Sequence, residues 1–258
     1  MNDNISPSLP KKVFSSHKIK SYENTLFKAL ECEGYSIMER AAQFAFQEIL
    51  ENFPNNKNWS ILCGPGNNAG DGMILAGLAI EKGLNVSIYF LFPEHLFKDN
   101  ALKAYKKLKE TQYKYDDKLT IYQKNDYEEI NQGIIIDAIF GIGLNREIDP
   151  TIQEIIQTLN DTNLPIISLD IPSGINPDDG RVMGQAINAE MTISFMFKKL
   201  CFYLGEGENY SGFIKYSDLD VPHCTEFLDN CDFNIIDRKY VFNRLQRRSL
   251  DSHKGDFG

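Results

Sequence analysis

Three short segments of this chain combine glycine with amide, carboxylate and hydroxyl side chains: GPGNNAGDG at 64–72, DAIFGIGLNRE at 137–147 and LDIPSG at 169–174. In the first, glycines let the backbone approach a ligand closely. A helix beginning near Gly70 would offer free N–H groups and a positive dipole end to a phosphate. The spacing Gly64-x-Gly66-x-x-x-Gly70 is not the dinucleotide fingerprint G-x-G-x-x-G, and no Lys-Ser/Thr follows to make a P-loop. A bare turn accounts for the glycines, but Asn67, Asn68 and Asp71 add donors and acceptors that a turn does not need. In the second segment, Asp137 either caps the next turn or meets a partner. A carboxylate after an apolar run is costly unless it is paired or binds a cation. Gly141 and Gly143 again permit close approach, and Arg146 is either a phosphate contact or an ordinary exposed arginine. In the third, Pro172 stiffens the turn while Ser173 and Gly174 expose hydroxyl and backbone. Asp170 emerges from an apolar strand, where low-dielectric surroundings would raise its pKa and suit it to give and take a proton. Taken alone, this segment is equally a turn-forming Asp/Pro/Gly stretch.

Segments so far apart in sequence need a frame that brings them together. WSILC (59–63), NVSIYFLF (85–92), GIIID (133–137), PIISLD (165–170), MTISFMF (191–197) and GFIKYSDL (212–219) read as strands. Helical segments alternate with them. One follows the first glycine loop to about Lys82, and one covers 97–110. Another is capped by Asp149, has Pro150 at its first position, and shows the face Ile152, Ile155, Ile156, Leu159. Continuous apolar strands separated by helices predict an α/β fold, a central mostly parallel sheet covered on both faces. In such sheets ligands bind at the carboxyl ends of the strands, and each of the three polar segments follows a strand. Before the first strand, residues 1–15 read as a loose polar tail and two helices follow. The second of these opens with a capping box at Ser36–Glu39 and carries Ile37, Ala41, Phe44, Ala45 and Ile49.

Composition narrows the classes. The 258 residues suffice for one sizeable core, and Lys plus Arg number 27 against 36 Asp plus Glu, a formal charge of −9. Such a chain repels polyanions, so nucleic acid is a poor partner. The five cysteines, Cys32, Cys63, Cys201, Cys224 and Cys231, form no CxxC pair and read as reduced and structural, which fits a cytoplasmic compartment. Cys63, beside the first glycine loop, reads as a small buried hydrophobe rather than a nucleophile. No signal peptide is evident, and no apolar run is long enough to span a bilayer.

The ordered set MERAA (38–42), GPGNNAGDG, DAIFGIGLNRE and LDIPSGINPDDG (169–180) resembles the NAD(P)H-hydrate epimerase family, the YjeF N-terminal-type domain, over residues 16–235. The resemblance implies a Rossmann-like three-layer αβα sandwich spanning residues 16–237. It also implies interconversion of the R and S epimers of hydrated NADH and NADPH. By motif position, Asn67, Asn68, Ala69, Gly70 and Asp71 would line the substrate, as would Gly141, Ile142, Gly143, Leu144, Asn145, Arg146, Glu147 and Asp170. Asn68, Asp137 and Ser173 would bind K⁺, a hard cation suited to oxygen ligands. Asp170 would be the catalytic proton carrier. Ala69 departs from the glycine usual in the family but removes no donor. A homodimer is also implied. The final stretch, RRSLDSHKGDFG (247–258), resembles the opening of an ADP- or ATP-dependent NAD(P)H-hydrate dehydratase domain, so 238–258 is expected to be a linker and the start of that second domain. A conventional dinucleotide oxidoreductase would instead need G-x-G-x-x-G and an acidic end to the second strand, where Leu91-Phe92-Pro93-Glu94 is a weak match. A non-catalytic interaction module of the same fold would have lost the Asn/Asp constellation, which here is present.

Overall fold

Isoleucine-rich runs form the middle of the molecule because each is apolar on both faces and must be covered twice. The computed structural model describes residues 11–29, 34–115, 117–123, 127, 130–221, 225–236 and 241–242. In chain order they form β1 (Lys12–Phe14), α1 (Ser16–Ala29), α2 (Gly34–Asn52), β2 (Asn58–Cys63), α3 (Asn67–Glu81), β3 (Asn85–Phe90) and α4 (Asp99–Lys114). There follow β4 (Leu119–Gln123), β5 (Ile134–Ala138), α5 (Pro150–Asn160), β6 (Ile166–Leu169), β7 (Met191–Phe195) and β8 (Lys198–Lys199). The last elements are α6 (Gly207–Ser211), β9 (Phe213–Ser217), α7 (Thr225–Asp229) and β10 (Phe233–Asn234).

Seven strands make one parallel sheet in the order β4-β3-β2-β5-β6-β7-β9. Alternate residues feed two cores. Ile61, Ile88 and Ile136 sit in register and pack with α1, α2, α3 and α4, while Leu62, Tyr89 and Ile135 pack with α5 on the opposite face. The result is the three-layer Rossmann-like sandwich. Chain order runs outward from β2 through β3 to β4, then returns to β5 on the other side of β2. This reversal opens a crevice beyond the carboxyl ends of β2 and β5, the switch point at which such sheets bind ligands. The predicted cap on α5 is present: Asp149 accepts from the Thr151 N–H, and Ile152, Ile155, Ile156 and Leu159 are buried.

Three expectations need correction. Lys12–Phe14 is not loose tail but a strand between β10 and β8, held because Val13 and Phe14 are apolar and almost fully buried. Helix α3 begins at Asn67, three residues before the glycine expected to open it. Helix α2 starts at Gly34, so Ser36 lies inside its first turn rather than at its cap. The strand β4 was unread because Leu119–Gln123 shows only a short alternation suited to a sheet edge. Of the segment expected to open a second domain, only Val241 and Phe242 lie within the described residues.

Candidate active site

The loops after β2, β5 and β6 converge on one cavity of about 660 Å³. Asn67, Asn68 and Asp71 line it from the start of α3, Gly141 to Arg146 from the loop after β5, and Asp170 from the end of β6. Three residues predicted to line the ligand are not among those that line the cavity. Ala69 is fully buried in the helix-side core, and Glu147 is exposed away from the lining. Gly70 faces Met38 of α2 and Ala101 of α4, so the glycine there serves helix packing rather than ligand approach. The glycine at 141 does serve approach. A methyl group on it would sit 2.8 Å from Asp170 Oδ2, the atom that accepts from the Ile142 N–H at 3.2 Å.

Asp170 has φ of 67°, a left-handed conformation uncommon for a residue with a Cβ. Its backbone is held by donation to Ile193 O at 2.7 Å, and its side chain turns into the cavity. The apolar setting expected for it is not what surrounds it. Lys199 Nζ lies 2.5 Å from Oδ1, so Asp170 is one half of an ion pair. Lys199 is 2% exposed and also donates to Ser194 Oγ at 2.9 Å and Phe195 O at 2.6 Å. Sequence reasoning missed this lysine. The signal was present, since Lys198-Lys199 follows the apolar run 191–197 just as Asp137 and Asp170 follow theirs, and a cation there also needs a partner.

A second omission is Glu23. It lies on α1 between Ile19, Tyr22 and Leu26, all buried, so a carboxylate interrupts an apolar face at i, i+3, i+4, i+7 spacing. Burial pushes Glu23 up to about 7; the nearby Asp170 charge adds to this, while Lys199 and Lys20 oppose it. Asp71 is raised well above the ordinary carboxylate range by burial, with Asp170 and Glu23 adding and Lys199 opposing. Three carboxyls therefore share the cavity wall with Lys20, Lys199 and Arg146, and burial favours the protonated forms of Glu23 and Asp71. Cys63 behind the loop is not a candidate nucleophile, because complete burial drives its thiol pKa upward.

Beneath the cavity lies the oxygen cluster containing Asp137, which is completely buried. Its carboxylate accepts from Ser168 Oγ at 2.7 Å, Ser173 N at 2.8 Å, Ser173 Oγ at 2.5 Å and Ile139 N at 3.2 Å. Ser173 Oγ and Asn68 Nδ2 meet at one carbonyl, Phe140 O, at 3.3 and 3.0 Å. Asn68 Nδ2 also donates to Leu169 O at 3.2 Å. The structure thus brings Asn68, Asp137 and Ser173 into one connected group, with Asn68 facing the cavity and the other two behind its wall. Gly174 closes the turn at φ 104°, where any side chain would strike Gln185 O.

A doubly wound parallel sheet, with amide, carboxylate and lysine side chains converging at its switch point, defines a Rossmann-like α/β domain with a polar cavity. The chain belongs to the family described as YjeF-related protein N-terminus, whose profile matches residues 34–201. It is 32% identical over 204 residues to the NAD(P)H-hydrate epimerase of Limosilactobacillus reuteri, covering 78% of this chain and 92% of that protein. It is 31% identical over 244 residues to the bifunctional NAD(P)H-hydrate repair enzyme Nnr of Coxiella burnetii, covering 92% of this chain and 49% of that one. The chain spans about half the length of this and the other bifunctional relatives it matches. The crystal structure of yeast ynu0 superposes with a TM-score of 0.72 at 22% identity, covering 86% of this chain and 94% of that one, a likeness of fold. No helix among the described residues is long and apolar enough to cross a membrane.

Proposed function

We propose that this domain is an NAD(P)H-hydrate epimerase acting in the cytoplasm, its substrate hydrated NADH or NADPH. The observation that carries this reading is the convergence of Asn67, Asn68, Asp71, Gly141–Arg146 and Asp170 on one cavity in a chain similar to proteins named for that activity. The open N-terminus of α3 and Arg146 suit the phosphates, and the carboxyl-rich wall suits the polar dihydropyridine end. Inversion at the hydrated carbon needs the hydroxyl to leave with a proton and a water oxygen to return from the other face, or the ring to open to an aldehyde and reclose. Asp170 holds or releases the proton, oriented by Lys199 and the Ile142 N–H. Chromatographic exchange of purified R and S hydrated NADH tests the reading. The domain is expected to equilibrate the two, and exchange no faster than in buffer alone would refute the activity.

Asn68, Asp137 and Ser173 suit K⁺. Their chemistry is amide, carboxylate and hydroxyl oxygen, and Asn68 Oδ1 is the one buried side-chain polar atom without a hydrogen-bond partner among the described residues. A bound K⁺ would neutralise local negative charge and fix the loop after β5; no proton transfer depends on it. Replacing KCl by choline chloride at constant ionic strength is expected to lower the melting temperature of the wild type but not of Asn68→Ala. Equal melting curves for the wild type in both salts would remove the cation from the site. A homodimer and a following dehydratase domain complete the proposal; the names of the longer relatives support a second activity in the same chain.

A further inference from the structure

We propose that Glu23 is a second proton-transfer group of this cavity, acting opposite Asp170 so that one carboxyl donates to the departing hydroxyl while the other receives from the entering water. The inference rests on the epimerase reading and extends it to a residue outside every motif that led there. Its basis is geometric. Glu23 and Asp170 line the same cavity from different layers, Glu23 from helix α1 and Asp170 from the end of β6. Helix α1 is fixed in place by the segment that carries Asp170. Asp178 accepts from Ser16 N at 2.5 Å and from Ser16 Oγ at 2.8 Å, so residues 170–178 supply one carboxyl and anchor the helix that brings the other. Lys18 pairs with Asp232 at 2.8 Å, and Tyr22 stacks on Phe227 with ring centroids 3.9 Å apart, which hold the helix from its far side.

The two carboxyls are dressed differently. Both oxygens of Asp170 face donors, Lys199 Nζ and the Ile142 N–H, which satisfies the charged form. The charged groups around Glu23 are Asp170, Asp71, Lys199 and Lys20, and burial leaves its carboxyl with a pKa of about 7. One epimer then meets protonated Glu23 and ionised Asp170. Glu23 passes its proton to the hydroxyl oxygen, the carbon–oxygen bond breaks with its electron pair, and water leaves. The ring nitrogen lone pair forms the carbon–nitrogen double bond of an iminium. Water adds to the opposite face, the π pair returns to nitrogen, and Asp170 takes the proton that the water releases. One proton has entered the substrate and one has left it. The protein is left with ionised Glu23 and protonated Asp170, the state suited to the other epimer. Only forms carrying one proton between the two carboxyls are competent, so activity must fall as pH rises through the range where Glu23 loses its proton.

The experiment is the pH profile of R/S exchange for wild type and Glu23→Gln, with a carbon-13 NMR titration of the Glu23 carboxyl in ligand-free protein. Wild-type exchange is expected to decline above about pH 7. Glu23→Gln is expected to be slower by about 100-fold, with that decline abolished. Glu23→Asp, which keeps a carboxyl, should recover part of the rate and the limb, and thermal melts confirm that each variant is folded. A Gln variant with wild-type rate, a slowed variant whose profile keeps its shape, or a Glu23 carboxyl titrating near 4.5 would each overturn the proposal. Absence of exchange by the wild type would defeat the epimerase reading instead, and the NMR titration would still decide whether Glu23 holds its proton at neutral pH.

Discussion

Asp170→Asn is expected to slow epimer exchange by about 100-fold or more and, in addition, to lower stability by about 3 kcal/mol. The first effect follows from loss of a group that can hold a proton at the cavity wall. The second follows from the partner left behind. Lys199 is 2% exposed and Asp170 16% exposed, so the pair is screened by protein rather than water. Removing one member of such a pair strands the other charge. The asparagine oxygen still accepts one hydrogen bond from Lys199, which keeps the loss at the low end of the range for broken buried pairs. The double variant Asp170→Asn/Lys199→Met separates the effects. Its melting temperature should recover towards the wild type, because the stranded charge is gone, while exchange stays low. Wild-type exchange by the single variant would remove Asp170 from the chemistry, and an unchanged melt would show that the ion pair contributes no stability.

The largest purely structural loss is expected at Asp137. Alanine there leaves four donors without their acceptor: Ser168 Oγ, Ser173 Oγ, and the N–H groups of Ser173 and Ile139, all inside the protein. Each unsatisfied buried donor costs about 1–3 kcal/mol, so even with Ser173 Oγ falling back on Phe140 O the loss should be about 4 kcal/mol or more. Asparagine keeps one acceptor but turns an N–H₂ towards the serine donors, and an intermediate loss is expected. Urea midpoints of the three proteins test this order. A loss below about 1 kcal/mol for Asp137→Ala would mean that water replaces the carboxylate, and the cluster would not be the sealed support described above.

Much of the architecture was legible in sequence because its central strands are predominantly apolar. Ile134–Ala138 and Met191–Phe195 are buried at every position, with Asp137, Thr192 and Ser194 the polar exceptions, as strands covered on both faces must be. Asn68, Asp71 and Asp170 were legible because strand-end position is a local property that topology converts into proximity. Lys199 and Glu23 were not read, for different reasons. Lys199 obeys the same strand-end rule but carries no glycine-rich motif to draw the eye. Glu23 sits on a helix whose packing depends on Asp178, Phe197 and Phe227, contacts that periodicity alone does not announce. Gly70 shows the opposite error: a glycine inside a recognisable loop motif makes room for Met38 instead of a ligand.

The bond between Ser16 and Asp178 joins residues 162 positions apart, and the one between Ser15 N and Asp232 joins residues 217 apart. A ribosome delivers residues 11–29 early, yet the turn at Asp178 and the segment at Asp232 that hold them follow 162 and 217 residues later. Until then Ser16 lacks the carboxylate of Asp178 and Tyr22 lacks the ring of Phe227 on which it stacks. The helix lies outside the seven-stranded sheet, but Ile19, Lys20 and Glu23 make it part of the pocket wall. The anchoring of this side of the pocket therefore waits on residues that follow the last strand of the sheet, Phe227 and Asp232 among them.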